Sequence, residues 1–577
     1  MNLQYPTLSF TSLCQRDRYT IDYSKQRRHR PPPQPRSIWV SCRCISSKIR
    51  ARAMRSRKDM FALCLATIFL GVTFPVYAWN SPVLEWSWTS SSVLPTSLNV
   101  MMTPSVIDLN KDGIPDVVFG STASTSGNLV EVGVLRALNG NNGSELFTVT
   151  TPALQINTAS SVATGDIDGD GYPEIIACDS TGARLIAFEH DGTFKWRSPT
   201  LEAINWGAPA IANLDKVGLP EIVIGRQVLN ADGTLRWTGT GGRATVSNIG
   251  PLSLVADVDL DGNPEVVAGN TVYSVNGVIK YRNTSLPDGY NAVGNFDSDP
   301  QAEIVLVANG SVWLLEHNMT VKWGPVSIPG GGGGPPTVAD YDNDGNPEIG
   351  VAGYSRYAVF ETNGALKWQA ATHDYSSSVT GSSVFDFEGD GAAEVVYGDE
   401  FHLWIYRGVD GAVLFQTNRN SGTWYEYPLV ADVDGDNNAE LLIIANVSGG
   451  FGPQHGIYVY GDPTNQWVLT RKIWNEHTYH ITNVNPDGSI PIEEENNWQV
   501  PGLNNFRLNE FGQFEGPACD IDQDRDVDRN DINAILAARN QPAAPGDPRD
   551  YDGDGLITVG DARACVLKCT RPNCAIQ

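Results

Sequence analysis

The sequence predicts an all-β fold: a closed ring of eight four-stranded antiparallel sheets, a β-propeller, followed by a small α-helical module. A seven-bladed ring is the alternative. Three observations predict the ring. An acidic nine-residue loop recurs eight times, each copy is followed by a short β-branched stretch, and an Asp-Gly or Asn-Gly turn then leads to a strand ending on an aromatic residue. Gly and Pro number 57 and 35 among 577 residues, which suits turn-rich β structure.

The loops read DLNKDGIPD (108–116), DIDGDGYPE (166–174), NLDKVGLPE (213–221), DVDLDGNPE (257–265), NFDSDPQAE (295–303), DYDNDGNPE (340–348), DFEGDGAAE (386–394) and DVDGDNNAE (432–440). Short runs such as SSVAT and PTVA precede them. Runs such as EIIAC, EIVIG and EVVYG follow, then RLIAFE, VWLLE, YAVFE or HLWIY. These are strands by composition. HDGTFKW, ADGTLRW and NGALKW supply the turn and the last strand, ending on Trp196, Trp237 and Trp368. Those tryptophans, with Tyr281 and Phe415 in the same place, are expected to pack between blades. The early segment Leu84 to Trp88 also reads as a blade strand, expected to pair into the last blade and close the ring.

Oxygens at loop positions 1, 3, 5 and 9, with a backbone carbonyl near 7, suit a hard cation, and Ca²⁺ better than Mg²⁺. The ligands expected are Asp108, Asn110, Asp112 and Asp116; Asp166, Asp168, Asp170 and Glu174; Asp257, Asp259, Asp261 and Glu265; Asn295, Asp297, Asp299 and Glu303. The remaining copies offer Asp340, Asp342, Asp344 and Glu348; Asp386, Glu388, Asp390 and Glu394; Asp432, Asp434, Asp436 and Glu440. The third loop has Val217 at position 5 and is expected to bind weakly or not at all. The fifth has Pro300 at position 6, so its turn must differ.

The repeats resemble the FG-GAP/VCBS repeats of integrin α-subunit propellers and their secreted bacterial relatives, with Phe119-Gly120 and Gly207-Ala208-Pro209 as part of the likeness. The resemblance covers about residues 85–480. It implies structural Ca²⁺ on one face and ligand binding through other loops. The stretch Arg471–Phe511 lacks the repeat. His477 and His480 there do not form the His-Glu-x-x-His pattern of a zinc protease, and are expected to be packing residues.

The tail carries two twelve-residue loops, 520–531 and 550–561. Their expected ligands are Asp520, Asp522, Asp524, Asp528 and Asp531, and Asp550, Asp552, Asp554, Thr558 and Asp561. A short helical pattern follows each, INAILAAR and ARACVLKC. The tail resembles dockerin, a paired calcium-loop module in the EF-hand class, which implies a cohesin-like partner. Arg525 in place of Gly, and Cys565, Cys569 and Cys574, depart from that pattern. Four of the five cysteines beyond residue 78 lie in the tail with Cys519, so two disulfides are expected there, in any of three connectivities. Cys178 reads as a buried free thiol.

Residues 1–58 carry 14 Lys and Arg against two acids, and the apolar run Phe61–Thr73 precedes Val76-Tyr77-Ala78. This predicts an extension (1–53), a signal peptide (54–78), the ring (79–511), the dockerin-like tail (512–577), and secretion. The formal net charge of −26 argues against a nucleic-acid binder, and no span is expected in the mature chain. The function expected is a secreted interaction protein that binds an extracellular glycan or protein. A polysaccharide lyase or glycosidase is the alternative, since no catalytic constellation stands out. A quinoprotein oxidoreductase ranks third.

Overall fold

In the computed structural model the described residues are 79–509, except 248, and in the tail 519, 521, 527, 529–541, 543, 549, 551, 556–566 and 574. The predicted extension and signal peptide lie outside them. So do Asp520, Asp522, Asp524, Asp528, Asp550, Asp552, Asp554 and Cys569.

Eight antiparallel sheets follow one another along the chain, so the ring has eight blades. Blade one is built from Ser105–Ile107, Asp116–Ser121, Val132–Asn139 and Glu145–Thr148, with Ile156–Asn157 paired at its third strand. The innermost strands of blades two to eight are Ala163–Gly165, Ala210–Ala212, Leu254–Ala256, Tyr290–Gly294, Thr337–Ala339, Ser383–Phe385 and Leu429–Ala431. The inner two strands of each blade are almost wholly buried, as their continuous apolar runs require, while the fourth is half-buried to exposed.

The eighth blade is closed by the N-terminal strand. Val83–Trp88 pairs antiparallel with Gly456–Gly461, Leu84 opposite Tyr460 and Trp88 opposite Ile457. Closure leaves no open sheet edge at the seam.

Neighbouring blades are joined by the aromatic residues of the fourth strands. Trp196, Trp237, Trp323 and Trp368 each donate the indole N–H to a carbonyl of the next blade, at Ala231, Val275, Thr362 and Gly408. The ring then lies on the turn glycine of that blade. At Gly233, with φ +80°, a Cβ would come 2.4 Å from Trp196, so the turn needs Gly for its backbone and for its neighbour. Trp86 lies on Gly143 of blade one, so the seam repeats the ring-on-glycine packing, while its indole N–H is buried without a hydrogen-bond partner.

The non-repeating stretch beyond Arg471 lies along the axis. Trp474 exchanges both backbone hydrogen bonds with Val106 of blade one. Asn475 O accepts Thr164 N of blade two, Glu476 accepts Ile211 N of blade three, Phe506 pairs with Val338 of blade six, and Arg507 O accepts Val384 N of blade seven. On the other side, Trp206, Tyr290, Trp424 and Tyr425 pack across the ring, all at most 9% exposed. The axis is thus filled by the chain itself.

In the tail, helices α1 (Arg529–Ala538) and α2 (Val559–Val566) share a small core with Val527, Ile535, Ile557 and Ala562. Both helices begin three residues before the pattern read in the sequence. Each takes in the acidic twelfth residue, Asp531 or Asp561, whose charge suits a helix N-terminus. Cys519 and Cys565 form a disulfide with Cα atoms 5.4 Å apart, choosing one of the three connectivities. Cys178 is fully buried and free, and burial pushes its thiol well above the usual range. No helix among the described residues is long and apolar enough to cross a membrane.

Candidate metal centres of the acidic face

Each acidic loop links the first and second strands of its blade, so all eight lie on one face. Position 9 is the first residue of the second strand in every copy. These residues, Asp116, Glu174, Glu221, Glu265, Glu303, Glu348, Glu394 and Glu440, are at most 4% exposed. One carboxylate oxygen of each accepts the backbone N–H of position 2, over 2.6–3.3 Å: Leu109, Ile167, Leu214, Val258, Phe296, Tyr341, Phe387 and Val433. The strand therefore fixes the carboxylate and leaves its second oxygen for the loop interior.

The turn is held from position 1. In six loops a carboxylate there accepts the N–H of position 6: Gly113, Gly171, Gly262, Gly345, Gly391 and Asn437. The fifth loop cannot do this, because Pro300 has no N–H; Asn295 instead donates to Asp299 O at 2.7 Å. In the third, Asn213 accepts from Val217 N and donates to Gly218 O, while the Val217 side chain is 72% exposed. Clusters such as Asp257, Asp259, Asp261 and Glu265 bring one oxygen apiece within 4.8 Å of one another. Asp166, Asp168 and Glu174 do likewise, as do Asp386, Glu388 and Glu394.

The second oxygen at position 9 divides the loops into two kinds. In blades two to six it faces a basic side chain from the fourth strand, one residue before the interblade aromatic. Lys195 lies 3.1 Å from Glu174 and 2.6 Å from Asp168. Arg236 pairs with Glu221 and, at 2.8 Å, with Asp215. Lys280 and Lys322 reach Glu265 and Glu303 at 2.8 and 3.1 Å. Lys367 bonds Asp342 at 2.5 Å but stays 3.6 Å from Glu348, whose Oε1 has no hydrogen-bond partner. Burial works against the charge on Lys195, Lys280, Lys322 and Lys367, but the carboxylates prevail and hold these amines above the usual lysine range.

The same position is Leu146 in blade one, Leu414 in blade seven and Glu85 in blade eight. In blade one, Asp116 Oδ1 is buried without a hydrogen-bond partner, and Lys111 turns away to Asp487 O. Burial, then Asp108 and Asp112, push the Asp116 carboxyl up to about 7 against the pull of its bond from Leu109. In blade seven, burial and then Glu388 and Asp386 raise Glu394 well above the carboxylate range. In blade eight burial raises Asp432 to about 7, and Lys472 approaches only to 4.0 Å. Glu85 adds a further carboxylate near Asp434 and Asp436. The basic residues stand in the sequence as the middle letter of FKW, LRW, IKY, VKW and LKW, against ELF and VLF, one residue before the interblade aromatic.

The histidines of the axial segment are held apart by their packing. His477 is buried beside Arg507, donates its Nε2–H to Tyr425 O at 3.0 Å, and is driven by burial down to about 3, so it is neutral. His480 pairs with Glu494 at 2.5 Å. In the tail, Asp531 accepts Ile521 N at 2.6 Å and Asp561 accepts Tyr551 N at 2.9 Å. Position 12 thus closes onto position 2 in both loops. Asp561 also accepts from Thr558.

Eight blades carrying acidic loops define an eight-bladed β-propeller. Residues 108–177 and 295–351 match the FG-GAP-like repeat family. Among solved structures, the chain is similar to the Vibrio cholerae biofilm matrix protein Bap1, at 22% identity and a TM-score of 0.64, over 74% of this chain and 98% of that one. It shows a weaker likeness to Bacillus licheniformis rhamnogalacturonan lyase PL11, at 17% identity and a TM-score of 0.47, over 75% and 81%. At these identities the likeness concerns the fold. No curated protein matches the chain in sequence.

Proposed function

We propose that this chain is a secreted, calcium-stabilised interaction protein that binds an extracellular glycan or protein, with the dockerin-like tail as its attachment module. The observation that carries the metal reading is the buried, unpartnered Oδ1 of Asp116. It faces a loop of oxygen donors that no basic side chain enters. A hard divalent cation satisfies such a group, and the donor set is all oxygen. The residues that would hold Ca²⁺ most readily are Asp108, Asn110, Asp112 and Asp116 in blade one, Asp386, Glu388, Asp390 and Glu394 in blade seven, and Asp432, Asp434, Asp436 and Glu440 in blade eight. In blades two to six the ion must displace an amine or guanidinium, so those loops rank below them. When bound, the ion supplies the charge that relieves carboxylate repulsion. The chain's own part is to fix position 9 on a strand and position 1 on the turn. The tail loops, with Asp531, Thr558 and Asp561, are read as further Ca²⁺ sites, and the module as the site for a cohesin-like partner.

A binding role is supported by the axial stretch, whose backbone bonds blades one, two, six and seven and leaves a cavity of about 570 Å³ between blades six and seven and residues 501–509. The likeness to a biofilm matrix protein agrees with action outside the cell. Calorimetry in EDTA and in Ca²⁺, combined with a screen for polysaccharide retention and product release, tests the proposal. A melting curve indifferent to EDTA would refute the calcium reading, and product release would replace binding with catalysis.

A further inference from the structure

On the face opposite the acidic loops, a row of aromatic rings crosses blades six to eight. Tyr354 lies in the hairpin after Glu348–Ala352. His373 and Tyr375 lie in the link from blade six to blade seven, Phe401 in the hairpin before His402–Tyr406, and Phe451 before Gly456–Gly461. Tyr354 and Tyr375 stack with centroids 4.3 Å apart and planes 16° apart. His373 is 3.7 Å from Tyr375 and 4.8 Å from Phe401, and Phe401 is 5.2 Å from Phe451.

Tyr354 and Tyr375 are 41% and 49% exposed. In the loops of this face between 353 and 455 they are the only large hydrophobic residues so exposed among the described residues. The surface therefore offers ring edges, phenolic hydroxyls and the face of Tyr354 turned away from Tyr375, and among the described residues of these loops no aliphatic patch of the kind a protein or lipid partner would cover.

Buried carboxylates hold the rings in place. Glu400, fully buried, accepts Ser376 N at 2.5 Å and pairs with His373 Nδ1. Asp399 accepts the N–H of His373, Phe401 and His402 and the indole N–H of Trp404. Asp374 accepts from Thr380 and Thr423, while Asp374 N bonds Tyr354 O at 3.1 Å. These carboxylates are at most 1% exposed, so they anchor the loops. A preordered aromatic surface loses little freedom when a ligand arrives.

We propose that this row, centred on Tyr354, Tyr375 and His373, binds a neutral polysaccharide. A pyranose ring has an apolar C–H face that fits a tyrosine face, and hydroxyls at its rim that suit phenol and imidazole. The net charge of −26 works against a polyanionic chain. This inference rests on the binding role proposed above and gives it an address.

The test is affinity electrophoresis of the full chain in gels holding galactan, mannan, mixed-linkage β-glucan or polygalacturonate. The variants are Tyr354→Ala with Tyr375→Ala, Tyr354→Phe with Tyr375→Phe, and Tyr172→Ala. Tyr172, at position 7 of the second acidic loop on the opposite face, is an exposed tyrosine stacked on His190, and its backbone carbonyl, not its side chain, is the candidate ligand there. Retention by a neutral gel is expected, reduced at least tenfold in the double alanine variant. The double Phe and Tyr172→Ala proteins should retain it, with melting temperatures unchanged throughout. Unreduced retention in the double alanine variant, or loss only in Tyr172→Ala, overturns this site and leaves the binding role standing. Retention by polygalacturonate alone overturns the neutral ligand. No retention of the parent chain in any gel overturns both the site and the glycan part of the proposed function.

Discussion

The ammonium of Lys280 lies 2.8 Å from the buried Oε1 of Glu265, and it reaches Asp259 and Asp261 of the same loop as well. The chain thus carries its own cation in blade four. Blade one has Leu146 in the same place.

Lys280→Met should therefore leave three carboxylates unbalanced. We expect a loss of about 1–3 kcal/mol in EDTA, less than for a fully buried pair because Lys280 is partly exposed. Millimolar Ca²⁺ should restore most of it. Urea unfolding with and without Ca²⁺ measures this, and a loss that Ca²⁺ fails to restore would count against a shared cation position.

Asp116→Asn should act in the opposite sense. Its repulsion from Asp108 and Asp112 disappears, so the metal-free protein should melt at the same temperature or higher. The gain from added Ca²⁺ should shrink by about one site. Isothermal titration against the parent chain checks the stoichiometry.

The pH dependence follows from Asp116 and Asp432, both raised to about 7 in the folded protein, chiefly by burial. In the unfolded chain such groups titrate near 4. Folded-state protonation then favours the native ring at acidic pH. That contribution is lost as pH rises from about 4 through 7. In EDTA the melting temperature should fall across this window, and in saturating Ca²⁺ the fall should flatten. Calorimetry from pH 4 to 8 in both buffers decides.

Trp88 is 3% exposed, meets Phe119 edge-on at 5.1 Å, and donates to Glu145 of blade one at 2.9 Å. Trp88→Ala should cost about 3–5 kcal/mol. Because the residue belongs to the closing strand, the variant should also gain early protease cuts near the seam. Limited proteolysis with mass mapping tests this, and cuts spread evenly around the ring would argue against a weak seam.

The Cys519–Cys565 bridge closes 46 residues of a module with a small core. Reduction should loosen the tail by about 4 kcal/mol on loop entropy, while the ring keeps its melting temperature. Proteolysis with and without reductant should release the tail alone.

Much of the ring was legible because its determinants repeat. Eight acidic loops gave eight blades, Leu84–Trp88 had the look of a closing strand, and the DGTxxW segments marked the interblade contacts. What stayed hidden depends on residues far apart in sequence. The stretch from Arg471 has no period, since it meets a different blade every few residues. The row from Tyr354 to Phe451 is assembled from four separate loops, none of which carries a motif. The basic residues beside Trp196, Trp237 and Trp368 were visible, yet their meaning lay in the loop they face, about 20 positions upstream.

The pairing of Leu84 with Tyr460 also sets an order of events. A chain emerging from its N-terminus presents Val83–Trp88 first, and its partner Gly456–Gly461 nearly last. Until then both ends of the growing stack are open edges able to pair with a second chain. Trp474 and Phe506, which lie along the axis, arrive later still. The ring is therefore exposed to misassembly for most of its synthesis, and it becomes a closed body only when its final blade and axial segment are in hand.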